Sequence, residues 1–166
     1  MAPYLPSAVT FLRLIALPLL ILTITDRLFF LADVLFIIAI ASDLFDGYLA
    51  RRLGVASRLG TAFDVSTDFW FIGGMFLYFG WTGVYPIWVF ILMVLMFAQF
   101  ALTSLFIRII YDPFGKYLGG LLYGAIGLTI LFSGQQLIRN FTLVCTVLIA
   151  TISLLYRTLY IIRKRA

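Results

Sequence analysis

The chain has 166 residues, 64% of them hydrophobic, 17% aromatic and only 11% charged, with a formal net charge of +5 and a mean hydropathy of +1.13. A water-soluble domain carries about 25% charged residues, so this composition argues against one and for an integral membrane protein. There is no histidine and one cysteine, Cys145, which excludes an internal disulfide and a Cys/His metal cluster.

A membrane-crossing helix needs about 20 apolar residues. Six such runs are predicted, at roughly 8–25, 28–50, 60–80, 86–108, 117–133 and 141–162. The first holds Arg13 and Pro18; no small-residue cleavage site precedes Asp26-Arg27, so it reads as a retained span. The second has Asp33 near one end and Asp43 and Asp46 near the other. Asp26, Arg27 and Asp33 read as interfacial polar groups. The third span carries Gly60, Asp64 and Asp68, then Gly73-Gly74, glycines expected to let helices approach closely. Trp81, Tyr85 and Trp88, flanking the WTGVYP break, are expected in an outer aromatic belt. The fourth span contains Gln99 and ends at Arg108. The fifth follows YDPFGK, with Lys116, and has Gly119, Gly120, Gly124 and Gly127. The sixth follows SGQQLIRN, holds Cys145 as a packed thiol, and carries Arg157 several residues inside the basic end RKRA. No internal repeat appears. The expected fold is one all-α domain over 1–166, a polytopic bundle of six transmembrane helices.

An even number of spans puts both termini on one side, with the loops around 51–58 and 109–116. That side collects all the lysines and arginines except Arg27 and Arg139, so it reads as cytoplasmic in a cell membrane. The terminal basic run is expected to rest against anionic headgroups.

All seven acidic residues are aspartates, and four fall within 42–68. Residues 43, 46, 47 and 50 follow the i, i+3, i+4, i+7 spacing of one helix face, which reads Asp43, Asp46, Gly47, Ala50. Residues 60, 64 and 68 make a second stripe, Gly60, Asp64, Asp68. Facing each other at the cytoplasmic end of adjacent helices, the stripes bring four carboxylates together beside a glycine-lined gap. Four unpaired carboxylates there must either take up protons or surround cations. All-oxygen ligation suits hard divalent ions such as Mg²⁺, Mn²⁺ or Ca²⁺, with phosphate oxygens and water completing the shell.

Asp43-x-x-Asp46-Gly47-x-x-Ala50-Arg51, then Gly60-x-x-x-Asp64-x-x-x-Asp68, resembles the signature of the CDP-alcohol phosphotransferases at all its fixed positions. The six-span layout is similar to theirs as well. The resemblance implies transfer of the phosphatidyl group of a CDP-linked lipid, CDP-diacylglycerol or an ether analogue, to an alcohol, with release of CMP. It also implies one or two Mg²⁺ or Mn²⁺ ions on Asp43, Asp46, Asp64 and Asp68, with Asp68 the general base. Asp46, Gly47, Ala50, Arg51, Gly60 and Asp64 would bind the CDP-lipid, and a homodimer is expected. The expected partners are the two substrates and membrane lipids, with no nucleic acid.

The stretch LPSAVTFLRLIALP, residues 5–18, is similar to the start of phosphatidylglycerophosphate and cardiolipin synthases through Pro6, Thr10, Arg13 and Pro18, with Ser7 where they carry Asn. Gly115-Lys116 resembles a glycine–lysine motif of glycerophosphate-using members, although Leu118-Gly119 stands where Lys-Thr would follow. A phosphorylated polyol such as glycerol 3-phosphate is therefore the expected acceptor, with Arg108, Lys116 and Arg157 as candidate cations for it. Inositol phosphate, serine and phosphatidylglycerol are the alternatives. Arg157 also reads as a side chain snorkelling to headgroups. A small divalent-cation transporter explains the carboxylates too, but not Ala50-Arg51, the glycines, or the absence of a continuing polar path.

Overall fold

A computed structural model describes residues 5–53, 58–106 and 113–165, with side chains described for 13–42, 66–102, 118–159 and Ile162. Among the described residues the fold is all-α, with helices α1 (Leu5–Thr25), α2 (Phe29–Leu53), α3 (Arg58–Trp81), α4 (Ile87–Phe106), α5 (Pro113–Leu131) and α6 (Gln136–Arg165) and no strand. The helices match the six expected runs. The largest difference is at α6, which begins at Gln136 rather than near 141. The polar run SGQQLIRN is mostly first helical turns, and the reversal needs only the residues around 132–135, where Gln135 N donates to Phe132 O at 2.9 Å. α5 starts on Pro113, a position where the missing N–H has no intrahelical acceptor and the fixed φ is already helical.

The α1–α2 reversal is closed by a Schellman motif built without glycine. Leu28 N donates to Thr23 O at 2.8 Å and Arg27 N to Ile24 O at 3.1 Å, with Arg27 at φ 58°. Asp26 and Arg27 are both exposed in this turn.

The chain forms two compact units, Met1–Met75 and Phe76–Ala166. In the first, α1 packs on α2. Its core holds Leu17, Leu20, Ala32, Phe36, Phe71 and Ile72, with Phe36 and Phe71 stacked at 6.4 Å between ring centroids. Gly73 and Gly74, read together from the sequence, differ. A Cβ on Gly74 would lie 2.5 Å from Leu17 Cδ2, so this glycine permits close approach of α1 and α3. Among the described residues, a Cβ on Gly73 would meet only Phe69 of its own helix, at 3.8 Å.

In the second unit α6 packs against both α4 and α5. Tyr85 corrects the expected aromatic belt: it is 2% exposed, whereas Trp81 is 85% and Trp88 49% exposed. Its ring packs against Phe76 and Phe79 at 6.0 and 5.5 Å, and its hydroxyl bonds Thr129 of α5 at 2.5 Å and Thr142 of α6 at 2.8 Å. The hydroxyl is satisfied by two side chains of the protein. Among the described residues, nothing lies within 4 Å of where a Cβ would stand on Gly119, Gly120 or Gly124 of α5. Cys145 is free and half-buried.

Polarity is distributed unusually for a globular fold. Arg13, Thr23, Thr67, Thr129, Thr142, Thr146, Ser153 and Arg157 are buried, while Phe30, Trp81 and Leu137 are more than 80% exposed along with many leucines and isoleucines. Several threonine hydroxyls donate back into their own helix, as Thr23 does to Leu20 O, Thr129 to Ala125 O and Thr158 to Leu154 O. Among the described residues Gln136–Leu159 is long and apolar enough to cross a membrane; shorter apolar stretches run over Arg13–Thr25, Phe29–Ser42, Ile87–Leu102 and Leu118–Leu131.

Candidate active site

The two aspartate stripes lie on uninterrupted helix. α2 runs without a break through Asp43, Asp46, Gly47, Ala50 and Arg51, so at about 100° per residue the first four share one face, with Asp43 and Asp46 about 4.5 Å apart along the axis. α3 likewise carries Gly60, Asp64 and Asp68 on one face, the two aspartates separated by about 6 Å of rise. The side chains of Asp43, Asp46, Gly47, Ala50, Arg51, Gly60 and Asp64 lie outside those described, and so does their convergence.

Asp68 is described, and it brings in a residue to which the sequence reading gave no part in the site. Arg13 Nη1 of α1 donates to Asp68 Oδ1 at 2.6 Å. The arginine side chain is 2% exposed and the aspartate 30%, so the cation is held inside the unit and the carboxylate stands at its edge. Burying a guanidinium is tolerable only with an anionic or hydrogen-bonding partner, and Asp68 supplies one. The sequence signal for Arg13 was a cation in the middle of an apolar span, which marks a pairing need but does not say with what.

Of the three cations expected to face the acceptor, Arg108 lies outside the described residues, and Lys116 is described only as part of α5. Arg157 is buried at 2% exposure, with its guanidinium carbon 4.5 Å from the centroid of the Phe100 ring. That is a cation–π geometry, not the extended surface path of a snorkelling side chain. One helical turn of α4 and α6 is further tied by Gln99 Nε2, which donates to Thr158 Oγ1 at 2.9 Å and Leu154 O at 3.3 Å.

Among the described residues no three carboxylate, thiol or imidazole groups come together. The helix register nevertheless places only oxygen donors on the two stripes, which in kind fits a hard divalent ion and not zinc or copper.

Residues 3–156 match the CDP-alcohol phosphatidyltransferase family. The chain belongs to that family. The match takes in both aspartate stripes and Arg13, and ends one residue before the buried Arg157. CDP-alcohol phosphatidyltransferases are transferases of phospholipid synthesis that move a phosphatidyl group from a CDP-alcohol to an acceptor. No curated protein matches the chain.

Proposed function

We propose that this CDP-alcohol phosphatidyltransferase is an integral membrane enzyme that transfers the phosphatidyl group of CDP-diacylglycerol, or of an ether analogue, to a phosphorylated polyol such as glycerol 3-phosphate, releasing CMP. The observation that carries the reading is the family match over 3–156 together with an intact aspartate signature on α2 and α3. Membrane residence is supported by the inverted polarity, since lipid is the solvent in which exposed leucines and buried arginines are both favourable. The basic residues favour cytoplasmic termini and a cytoplasmic site. A homodimer is part of this reading on the family membership.

In this reading Asp43, Asp46, Asp64 and Asp68 hold one or two Mg²⁺ or Mn²⁺ ions. Such ions, when bound, neutralise charge on the pyrophosphate oxygens as Lewis acids. Gly47, Ala50 and Gly60 leave room for the nucleotide, and Arg51 pairs with its phosphates. Asp68 takes the proton of the acceptor hydroxyl as its oxygen bonds the phosphatidyl phosphorus and the bridging P–O bond to CMP breaks. Proton removal of this kind contributes about 10²–10⁴-fold. Arg157 is the candidate cation for a phosphorylated acceptor.

The test is CMP release by purified protein from CDP-diacylglycerol with Mg²⁺ or Mn²⁺, offering glycerol 3-phosphate, inositol 1-phosphate, serine and phosphatidylglycerol one at a time. Turnover with glycerol 3-phosphate, lost in Asp68→Asn, is expected. Turnover with another acceptor alone corrects the substrate. Silence with all four, in folded protein, overturns the reading, and divalent-ion flux into liposomes then decides for a transporter.

A further inference from the structure

We propose that Arg13 is the positioning residue of Asp68, fixing the carboxylate that removes the acceptor's proton; the inference rests on the reading of Asp68 as that base. The two residues are 55 positions apart on different helices, joined by a 2.6 Å charge-assisted bond. An aspartate on a helix otherwise samples several rotamers. A bond to Oδ1 from a donor that cannot itself move selects one of them. Arg13 meets that requirement: it is 1% exposed, and Ala16 and Leu17 behind it on α1 are buried. The seam is held close at Gly74, where a Cβ would stand 2.5 Å from Leu17 Cδ2, one turn of α1 beyond Arg13. Asp68 at 30% side-chain exposure is reachable from outside the unit, while its anchor at 2% is not. That is the arrangement of a working group at a site edge and a fixed support behind it.

Geometry decides how much this is worth. A general base must lie about 2.6–3.2 Å from the atom whose proton it takes. A misplacement of about 1 Å costs about 10²-fold in rate. Arg13 touches no substrate in this scheme and acts through Asp68.

The experiment compares Arg13→Gln, Arg13→Lys, Asp68→Asn and the Arg13→Gln/Asp68→Asn pair in the CMP-release assay, with thermal unfolding of each. Arg13→Gln is expected to lower kcat about 100-fold with either KM moving less than about 3-fold. Arg13→Lys keeps a point donor and recovers part of kcat. On the Asp68→Asn background Arg13→Gln causes no further loss, and in unfolding the double variant loses less than the two single losses combined. A folded Arg13→Gln enzyme with near-normal kcat, a loss confined to KM, or additive unfolding losses overturns the proposal. Asp68→Asn with near-normal kcat instead removes the base itself, while the unfolding cycle still reports whether the pair exists, so the two failures are separable.

Discussion

Gly74→Ala probes the α1–α3 seam directly. The new methyl would stand 2.5 Å from Leu17 Cδ2, 3.2 Å from Cδ1 and 3.4 Å from Cγ. Non-bonded carbons rest about 3.5–4.0 Å apart, so the nearest contact is short by about 1–1.5 Å. Leu17 is 5% exposed, with Leu20, Ile72 and Met75 at 0%, which leaves little space for it to rotate away. Overpacking of this kind costs about 1–3 kcal/mol. Replacing glycine by alanine in a helix returns up to about 1 kcal/mol. The net loss is thus about 0–3 kcal/mol, combining the two terms. Gly73→Ala is the internal control, because its methyl meets only Phe69 at 3.8 Å and takes the helix gain alone. If instead the seam widens by about 1 Å, the 2.6 Å Arg13–Asp68 bond moves out of hydrogen-bond range. Thermal unfolding and CMP release of Gly73→Ala, Gly74→Ala and Gly74→Ala/Leu17→Ala are the measurements. The expected order of stability is Gly73→Ala above Gly74→Ala, with kcat reduced only in Gly74→Ala and recovered when Leu17 is cut back. Gly74→Ala that unfolds with Gly73→Ala and turns over normally would refute the steric reasoning. Failure of Leu17→Ala to restore kcat would refute the link to the site.

Tyr85→Phe keeps the ring against Phe76 and Phe79 and removes a hydroxyl bonded to Thr129 and Thr142; both threonines still donate to helix carbonyls, so no donor is orphaned and the loss should be about 1–2 kcal/mol. Tyr85→Ala removes the ring as well and should cost about 3–5 kcal/mol; equal losses in denaturation would show that ring packing contributes nothing. Arg27→Gly relieves a left-handed conformation worth about 1–2 kcal/mol to a residue with a Cβ, offset by about 0.4–1 kcal/mol of unfolded-chain entropy. An unfolding midpoint at or above the parent is therefore expected, and a clear fall would contradict the Schellman geometry. Chelation with EDTA should abolish CMP release and Mg²⁺ or Mn²⁺ restore it; activity that survives exhaustive chelation would remove the metal from the mechanism.

The element boundaries were legible because they depend on local chemistry. Apolar runs bounded by TDR, WTGVYP and YDPFGK give helices; the largest misplacement, the start of α6, came from reading the polar residues 136–140 as loop when a helix accepts them on its first turns, and α5 likewise begins at Pro113 inside YDPFGK. The aspartate stripes were legible for the same reason: spacings of three, four and seven have a fixed meaning on an α-helix. They carried the family assignment that the match over 3–156 bears out.

Three features needed tertiary structure. Gly73 and Gly74 are adjacent and chemically identical, yet only one faces Leu17, because a helix turns about 100° between neighbours. Tyr85 sits between two tryptophans in a turn and looks interfacial, yet its hydroxyl finds Thr129 and Thr142, 44 and 57 residues away. Arg13 shows in the sequence as a cation amid apolar residues and as one match to the start of related synthases; neither says that it meets Asp68, 55 residues on, rather than another of the aspartates. The sequence by itself determined which residues are helical, which share a face, and what chemistry those faces offer. Which faces meet, and therefore which carboxylate is held by which cation, depends on how helices distant in the chain interlock, and no local spacing encodes that contact.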